Sequence, residues 1–502
     1  MHRMFAQPRR RWPCAAPASC GALLVLALAP ASAPAQEPAA VTTQPASTQH
    51  DESATSQPTA PSISERKYYV TRAISATPAP DPPVYVHRAS ALAEWFGAAD
   101  AASLSWLDVG IEQNTRYEHR QNYYPAGNLN DNRFLMRNRA YLGIREIVDP
   151  LRFGFEFQDA RAFGNDFPEI TQDVDENDLL QAFGELYFQN ALGEKHPLSF
   201  RAGRQSFDLV NRRLVARNGF RNSTNAFDGF RLRAGDDTTS WEINVLAAMP
   251  VERFARRLDQ PDDERWFYGL TGYFRALDPG ILFKPYYFVL DEDRKGFNKY
   301  DRELHTVGLN VFGLLGDSGF DYDLDGAWQF GKSRRRNHRA FATHAELGYT
   351  ITHDWKPRLA AFVDYASGDR HPFDRTNERF DRLFGASHMF YAPTDMFTRE
   401  NLIQPGLRWT VKPLKNLTLE SFYRAYWLAS DSDTWSPSNV RARYGRNGDF
   451  LGHGLDVAVI YQITRQWTIE IGYAHLTAGE FIQNLPNGDD SDFFYVQTTL
   501  RL

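Results

Sequence analysis

Residues 151–158 read LRFGFEFQ, and every second residue of this stretch is large and apolar. The apolar series is Leu151, Phe153, Phe155 and Phe157, and the residues between them are Arg152, Gly154, Glu156 and Gln158. A period of two places the two series on opposite faces of a β-strand. The same alternation occurs in residues 320–330, 417–427, 455–462 and 467–473. Such stretches match the roughly 9 to 11 residues of a tilted transmembrane strand and exceed most strands of soluble sheets.

About eighteen alternating runs follow one another from residue 106 to the last residue given. They begin near residues 106, 133, 151, 179, 197, 226, 239, 266, 281, 302, 319, 339, 356, 401, 416, 450, 466 and 491. Short turns such as Asp149-Pro150 alternate with longer charged loops, of which residues 368–400 form the longest. We therefore predict an all-β fold, a single transmembrane antiparallel up-and-down β-barrel of about 18 strands over residues 105–502, with the short turns in the periplasm.

The competing interpretation is a soluble β-sandwich or a β-propeller. Those folds use shorter strands and evenly short loops, and the sequence has no repeat of propeller length. The alternation continues to Leu502, so the last strand can pair with the first. Because no water satisfies an open sheet edge inside a bilayer, the barrel must close.

The N-terminus has the pattern of a secretory signal peptide. Arg9–Arg11 precede an apolar centre at residues 23–28, and residues 33–35 supply the small residues of a cleavage site. We predict a signal peptide over residues 1–35. Both cysteines of the chain lie inside it, so we expect no disulfide in the mature protein. Export without disulfides suits the envelope of a Gram-negative bacterium.

Residues 36–104 are predicted to be a disordered N-terminal linker in the periplasm. Residues 36–62 consist mainly of Ala, Pro, Thr, Ser and Gln and have almost no large apolar side chains to bury. The composition becomes mixed over residues 67–102, and residues 89–101 could form a short helix.

The overall composition excludes some classes of protein. The chain has 56 basic and 62 acidic side chains and a formal net charge of −6, which argues against a polybasic nucleic-acid binder. The mean hydropathy is −0.50 although 14% of the residues are aromatic. A polar interior combined with aromatic residues at both membrane interfaces accounts for this mixture.

Two short motifs suggest chemistry, but the surrounding residues fit neither of them. Asp321–Gly326 reads DYDLDG, like the first half of an EF-hand loop, but Lys332 stands where a bidentate Glu is needed. Ser387 and His388 suggest a serine hydrolase, but adjacent residues of a strand point to opposite faces. We therefore predict no catalytic residues, no metal site, no cofactor and no enzymatic activity.

Charged residues on the polar faces form two arcs if the apolar faces contact lipid. The basic arc, on the second to sixth strands, consists of Arg137, Arg139, Arg145, Arg152, Arg201, Arg231 and Arg233. The acidic arc, on the eleventh and twelfth strands, consists of Asp321, Asp323, Asp325 and Glu346. Across a barrel of this size the two arcs would face each other, line the pore and orient a polar solute. The alternative is that these charges only pair with neighbours and fill space.

The loop over residues 368–400 carries too many apolar groups to remain in water. We predict that it folds into the barrel and narrows the pore, as loops do in some large barrels. The charged residues expected near the solute are Arg370, Asp374, Arg375, Arg379, Asp381 and Arg382. The alternative is an external platform in which the aromatic residues pack among themselves.

Several stretches resemble the alginate export family of outer-membrane porins. They are Arg201–Gln205 (RAGRQ), Phe227–Phe230 (FDGF), Tyr365–Asp369 (YASGD), Phe380–Tyr391 (FDRLFGASHMFY) and Asn401-Leu402. The resemblance covers the whole predicted barrel, and the long loop is its most specific part. It implies an eighteen-stranded, monomeric barrel with a narrow charged pore that passes an anionic uronate polysaccharide outward.

Together these observations predict an outer-membrane channel for passive diffusion or export of an anionic polysaccharide or oligosaccharide, such as an alginate-like uronate. A general small-solute uptake porin is the first alternative, and a surface-exposed binding or enzymatic barrel is the second. The expected partners are the anionic saccharide, the lipid bilayer, lipopolysaccharide and the outer-membrane assembly machinery. No nucleic acid is expected to bind.

Overall fold

The computed structural model describes residues 81–95, 97, 101–278, 281–293, 301–333, 335–441 and 447–502. The predicted signal peptide over residues 1–35 lies outside the described residues, as does the part of the predicted linker (residues 36–104) that precedes residue 81. Among the described residues, no helix is both long enough and apolar enough to cross a membrane.

Eighteen long strands form the barrel, in the number predicted. In chain order they are β1 Leu107–Tyr123, β2 Leu129–Val148, β3 Leu151–Phe163, β4 Asp175–Phe188, β5 Leu198–Gln205, β6 Phe227–Ala234, β7 Trp241–Glu252, β8 Arg265–Asp278, β9 Ile281–Asp293, β10 Asp301–Leu314, β11 Phe320–Ser333, β12 Arg336–Thr350, β13 Arg358–Ala366, β14 Leu402–Leu414, β15 Leu417–Trp427, β16 Phe450–Gln462, β17 Trp467–Ala478 and β18 Ser491–Arg501. Each strand pairs antiparallel with the next one in the chain.

The barrel closes between β18 and β1. These strands pair antiparallel from Glu112 with Arg501 to Gln121 with Asp492. The closure gives each of the eighteen described barrel strands a partner on both sides, which is what a bilayer demands. The connection between β14 and β15 is as short as two residues, 415–416.

Short elements complete the described structure. They are the helices Ala89–Trp95 and Glu480–Gln483, the 3-10 turns Ala101–Leu104 and Tyr124–Ala126, and the two-residue strands His87–Arg88, Gln260–Pro261 and Thr376–Asn377. His87–Arg88 pairs with the start of β1. The helix Ala89–Trp95 lies within residues 89–101, for which the sequence suggested a short helix.

The two faces of the strands differ as the alternation predicts. On β11, Leu324 and Trp328 are 47% and 45% exposed and face outward, while Asp325 between them is buried. An apolar outer face lowers the free energy of the barrel in hydrocarbon, and a polar inner face can contact water or other polar groups. The alternation therefore sets both the membrane surface and the chemistry of the interior.

Two long loops fold into the barrel and fill much of it. We call residues 206–226 loop A and residues 367–401 loop B. They meet where Val215 and Phe384 form a parallel bridge. The Phe384 ring also packs against the wall residues Phe227 and Phe267, with ring centroids 5.1 and 5.2 Å away. The buried aromatic contacts of loop B are those of a folded segment, as the sequence predicted.

The apolar filling is concentrated on one side of the interior. One cluster joins loop A to strands β6 to β13 and includes Leu214, Phe288 and Phe380. A second cluster joins loop B to the loops at the same end of the barrel and includes Tyr391 and Trp435. The side of the interior beside β1 and β2 is left to polar groups.

Candidate functional site

Two cavities adjoin inside the barrel beside β1 and β2. The outer cavity, of about 350 Å³, lies toward the long loops and reaches Tyr123 at the end of β1. The inner cavity, of about 380 Å³, lies toward the short turns and reaches Arg501 at the end of β18. Four residues line both cavities and are called the neck here: Phe220, Arg221, Ser387 and Asp395. The cavities and the neck form one candidate pathway along the barrel wall.

Arginine dominates the lining of this pathway. Six arginines line the inner cavity and five line the outer one, with Arg221 common to both, so ten different arginines take part. They are Arg116, Arg120, Arg133, Arg137, Arg139, Arg212, Arg217, Arg221, Arg382 and Arg501. The carboxylates in the same lining are Glu112, Asp173, Asp208 and Asp395. Glu118 and Glu156, which lie behind this lining, pair with four of the ten arginines, so the pathway keeps a smaller excess of positive charge than the lining alone has.

A single buried glutamate holds three of the outer arginines. The Glu118 carboxylate lies 2.7 Å from Arg116, 2.9 Å from Arg120 and 2.8 Å from Arg133. Strand geometry creates this cluster, because residues 116, 118 and 120 share the inner face of β1 and Arg133 is opposite Glu118 on β2. Arg133 also pairs with Asp173 at 2.6 Å and lies 3.7 Å from Asp131, so three carboxylates accompany these three guanidinium groups.

The inner cavity repeats this arrangement around Glu112. Its carboxylate lies 3.1 Å from Arg137, 3.5 Å from Arg139 and 3.0 Å from Arg501. Arg139 on β2 and Arg501 on β18 are the direct register partners of Glu112. The seam that closes the barrel therefore also concentrates positive charge. In surroundings of low dielectric constant this excess acts strongly on an anion.

Arg221 is the least compensated charge of the pathway. Its guanidinium makes no hydrogen bond or ion pair with the described part of the chain, although its backbone carbonyl accepts a bond from Arg137. Burial lowers the pKa of Arg221 to about 10, so the side chain remains protonated at neutral pH. Asp395 is the neighbouring acid of the neck, and burial raises its pKa above the ordinary value. Arg221 thus offers a partly buried donor fork at the neck.

An aromatic stack forms the other wall of the neck. The Phe220 ring stacks with the His388 ring at a centroid distance of 3.3 Å, and the Arg116 guanidinium lies 3.8 Å from the centroid of Phe220. The His388 Nδ1 lies 3.0 Å from the carbonyl oxygen of Pro393, to which it can donate. Loop A and loop B are therefore joined at the neck.

Acidification should weaken this junction. Burial lowers the pKa of His388 to about 3, and the nearby Arg116 adds to the effect. Because the folded state favours neutral imidazole, its contribution is complete above about pH 6.5 and is lost as the pH falls toward 3. From pH 7 to pH 5 we expect a loss of about 2 kcal/mol in unfolding free energy, measured by urea titration with gel mobility of the unheated barrel.

His388→Phe should remove most of this pH dependence. The matched control is His371→Phe, at an exposed position of the same loop, which should retain it. Equal pH dependence in His388→Phe and in the unmodified protein would contradict the assignment to His388.

All seven residues of the basic arc lie on the inner face of the barrel. Arg137 and Arg139 line the inner cavity. A third cavity, of about 170 Å³ at the short-turn end, is lined by Arg145, Arg152, Arg201 and Arg233. Arg231 is the register partner of Arg201 and donates to Asn244. The predicted arc is therefore divided between the pathway and the short-turn end.

The acidic arc also lies on the inner face, but it does not line the two main cavities. Asp325 forms a buried ion pair with Arg399 of loop B. Asp321 and Glu346 share Arg358, at 2.5 and 2.6 Å. Asp323 accepts a bond from an asparagine of β10. The prediction that the acidic arc faces the basic arc across an open pore is therefore wrong. The arginines of the pathway face loops A and B instead.

The charged residues expected at the constriction have different positions. Arg370, Asp374 and Arg375 lie at the exposed tip of loop B. Two others are engaged in ion pairs, Arg379 with Asp433 and Asp381 with Arg302. Arg382 is the member of the six that lines a main cavity. Loop B is anchored in the interior mainly by its buried aromatic residues rather than by these charges.

Sequence reasoning missed Arg116, Arg120, Arg133 and the arginines of loop A. The signal on β1 was present, since the inner positions 112 to 120 read Glu, Asn, Arg, Glu, Arg. Loop A contains four arginines within ten residues: Arg212, Arg213, Arg217 and Arg221. Sequence reasoning treated this segment only as one of the charged loops. Such a density within a long loop indicates a folded, functional segment.

One group of acidic residues has the geometry to hold a cation. Asp175, Asp178 and Asp259 are buried, and a ligand oxygen of each lies within 4.8 Å of the others. Burial, together with the charges of Asp175 and Asp178, raises the pKa of Asp259 to about 7. No other such group occurs in the described ranges, and this one lies outside both main cavities.

Solved structures with the same fold are bacterial outer-membrane proteins. OccAB1 of Acinetobacter baumannii superposes with a TM-score of 0.57 at 13% identity, over 79% of this chain and 96% of that chain. The outer membrane protein OprD of Pseudomonas aeruginosa gives 0.53 at 12% identity, over 79% and 94%. OpdO of the same organism gives 0.51 at 15% identity, over 79% and 97%. At these identities the likeness establishes the fold.

Sequence comparison identifies the family. No curated protein is significantly similar to the chain in sequence. The family model for alginate export, in contrast, matches residues 105–496, which is almost the whole barrel. This match agrees with the stretches in β5, β6 and loop B that suggested the family. The chain belongs to the alginate export family, and its barrel has the fold of the outer membrane protein OprD.

Proposed function

We propose that this protein is an outer-membrane channel for an anionic saccharide of the uronate class, which passes along the arginine-lined pathway. The observation that carries the proposal is the excess of ten arginines over four carboxylates in two cavities joined at one neck. Family membership and the porin fold support a channel in the outer membrane. The saccharide specificity is the new element of the proposal.

Guanidinium groups suit the carboxylates of such a solute. Their planar donors can bind a carboxylate through two parallel hydrogen bonds, and they keep their charge when partly dehydrated. The clusters around Glu118 and Glu112 present several of these groups along the wall, with Arg221 between them. A carboxylate on each sugar unit could therefore move from one cluster to the next without losing all its partners.

The dimensions suit a chain threaded in extended form. Each cavity has the volume of a site for a small ligand, and the neck between them is formed by only four residues. Loops A and B fill the remaining interior, so a branched or bulky solute would meet their apolar clusters. The geometry favours an unbranched polyanion or short pieces of it.

Planar-bilayer recordings test the proposal directly. In a salt gradient the reversal potential should show anion selectivity, because the excess of arginines attracts anions and repels cations. Oligogalacturonates should block the current at concentrations at which neutral maltooligosaccharides of equal length have no effect. Equal block by both would indicate a general small-solute porin, and absence of conductance would indicate a surface-exposed binding or enzymatic barrel.

The remaining expectations about the cell belong to the same proposal. The precursor is exported, cleaved after Ala35 and inserted by the outer-membrane assembly machinery as a monomer. The linker and the short turns face the periplasm, and the long loops face lipopolysaccharide and the medium. No enzymatic step is needed for this function.

A further inference from the structure

A short N-terminal segment lies across the pathway at its short-turn end. Pro83, Val84 and Tyr85 line the inner cavity, while Asp81 and Pro82 line the third cavity. Residues 81–85 therefore form the partition between the arginine-lined pathway and the short-turn mouth. Because the segment comes from the chain itself, its presence does not depend on a bound molecule.

Specific contacts hold the segment against the wall. Tyr85 is 2% exposed, and its hydroxyl donates to the buried carboxylate of Glu156. His87–Arg88 then pairs with β1 below the end of β18. A Cβ atom at Gly110 would lie 2.3 Å from the carbonyl oxygen of Tyr85, so a glycine is required for this close approach. The β1 strand is thus shaped to accept the segment.

Asp81 places a carboxylate among arginines of the basic arc. Its two oxygens accept hydrogen bonds from Arg201 at 3.2 Å and Arg231 at 3.3 Å. Burial opposes ionisation, but the charges of Arg201, Arg231 and Arg233 hold the pKa of Asp81 well below its usual range. The Asp81 carboxyl is therefore ionised, and it accepts hydrogen bonds from guanidinium groups that could otherwise bind the carboxylate of another molecule.

We propose that residues 81–85 form a plug at the short-turn end of the pathway. In this proposal, Asp81 occupies a carboxylate-binding site formed by Arg201 and Arg231. A uronate unit of the solute binds to that site when the plug leaves. The ligand class rests on the proposed function, whereas the obstruction by the plug does not. Tyr85 and Asp81 are the two polar anchors, so a polyanion that enters from the short-turn side competes with one of them directly. The solute thereby opens its own route.

Bilayer recordings of point variants test the plug. Asp81→Asn keeps the size of the side chain and removes its charge, so we expect the mean conductance to rise several-fold. Deletion of residues 36–86 should produce the same rise without relying on a point change. The matched control is Glu94→Gln, the same exchange at an exposed position of the adjoining helix, which should leave the conductance unchanged. Unchanged conductance in both Asp81→Asn and the deletion would overturn the plug.

The carboxylate site is tested by oligogalacturonate added from the short-turn side. In Asp81→Asn the block should appear at concentrations about tenfold lower, and adding Arg201→Gln and Arg231→Gln should abolish this gain while the conductance stays high. Equal block with and without the two arginines would overturn the site. The reversal potential of the unmodified protein reports separately on the proposed function, so either idea can fail without the other. Heat-modifiable gel mobility confirms that each variant is folded.

Discussion

Deletion of residues 372–395 is expected to raise the single-channel conductance several-fold. This part of loop B contains Phe380 and Tyr391, which are buried in the two apolar clusters inside the barrel. It also supplies Phe384, whose bridge to Val215 holds loop A in place. Removal of residues 372–395 should therefore empty a large volume of the barrel interior and also release loop A from its position. The measurement is the conductance of purified, refolded protein in a planar bilayer at high salt.

The control for this deletion is Phe373→Ser in the same loop. Phe373 is 96% exposed, so its replacement by a small polar residue should leave both folding and conductance unchanged. Heat-modifiable gel mobility shows whether the deletion variant is a closed barrel. A closed barrel with unmodified conductance would mean that loop B lies outside the route of the ions.

The architecture was predictable because its causes are local. Alternation within each strand identifies the membrane-facing side, and turn residues separate one strand from the next, as LRFGFEFQ and Asp149-Pro150 illustrate. All eighteen predicted strands are present, and the closing pair was expected from the alternation up to Leu502. The folding of loop B was expected from its aromatic content, since such a segment has too much apolar surface to remain hydrated.

The electrostatics of the interior was less predictable, because the residues that form ion pairs there are distant from each other in sequence. Arg213 reaches Asp364 at 2.8 Å, and Arg399 reaches Asp325, so loop arginines neutralise the acidic side. Counting inward charges by strand cannot show this, since it omits the loops that enter the interior. The predicted positions of the strands were correct. The net charge inside the barrel, however, depends on the arginines of the loops, which the strand pattern does not include.

The N-terminal segment shows a similar limit. A Pro-rich stretch with one tyrosine has too little apolar surface to fold alone, and its composition resembled the linker before it. Asp81 and Tyr85 are held by hydrogen bonds to Arg201, Arg231 and Glu156 on the wall. Complementarity to a surface that another part of the chain builds leaves no periodic signal in the sequence.

Arg221→Glu is expected to reverse or abolish the anion selectivity of the channel. The change replaces the least compensated positive charge of the neck by a negative one, next to Asp395. At an effective dielectric constant of about 20, a unit charge about 5 Å from a passing ion contributes roughly 3 kcal/mol before screening by salt. We therefore expect the ratio of anion to cation permeability, obtained from the reversal potential in a salt gradient, to fall by about tenfold or more.

A graded pair of variants separates charge from size in this experiment. Arg221→Gln removes one charge, so its permeability ratio should lie between those of the unmodified protein and Arg221→Glu. Arg375→Glu makes the same charge reversal at the exposed tip of loop B and should change the ratio little, because salt screens a charge that lies in solvent. If Arg375→Glu and Arg221→Glu shifted the reversal potential equally, ions would be selected by the overall charge of the loops and not at the neck. Selection at the neck requires that the effect of position 221 persists at high salt, where the effect of position 375 has vanished.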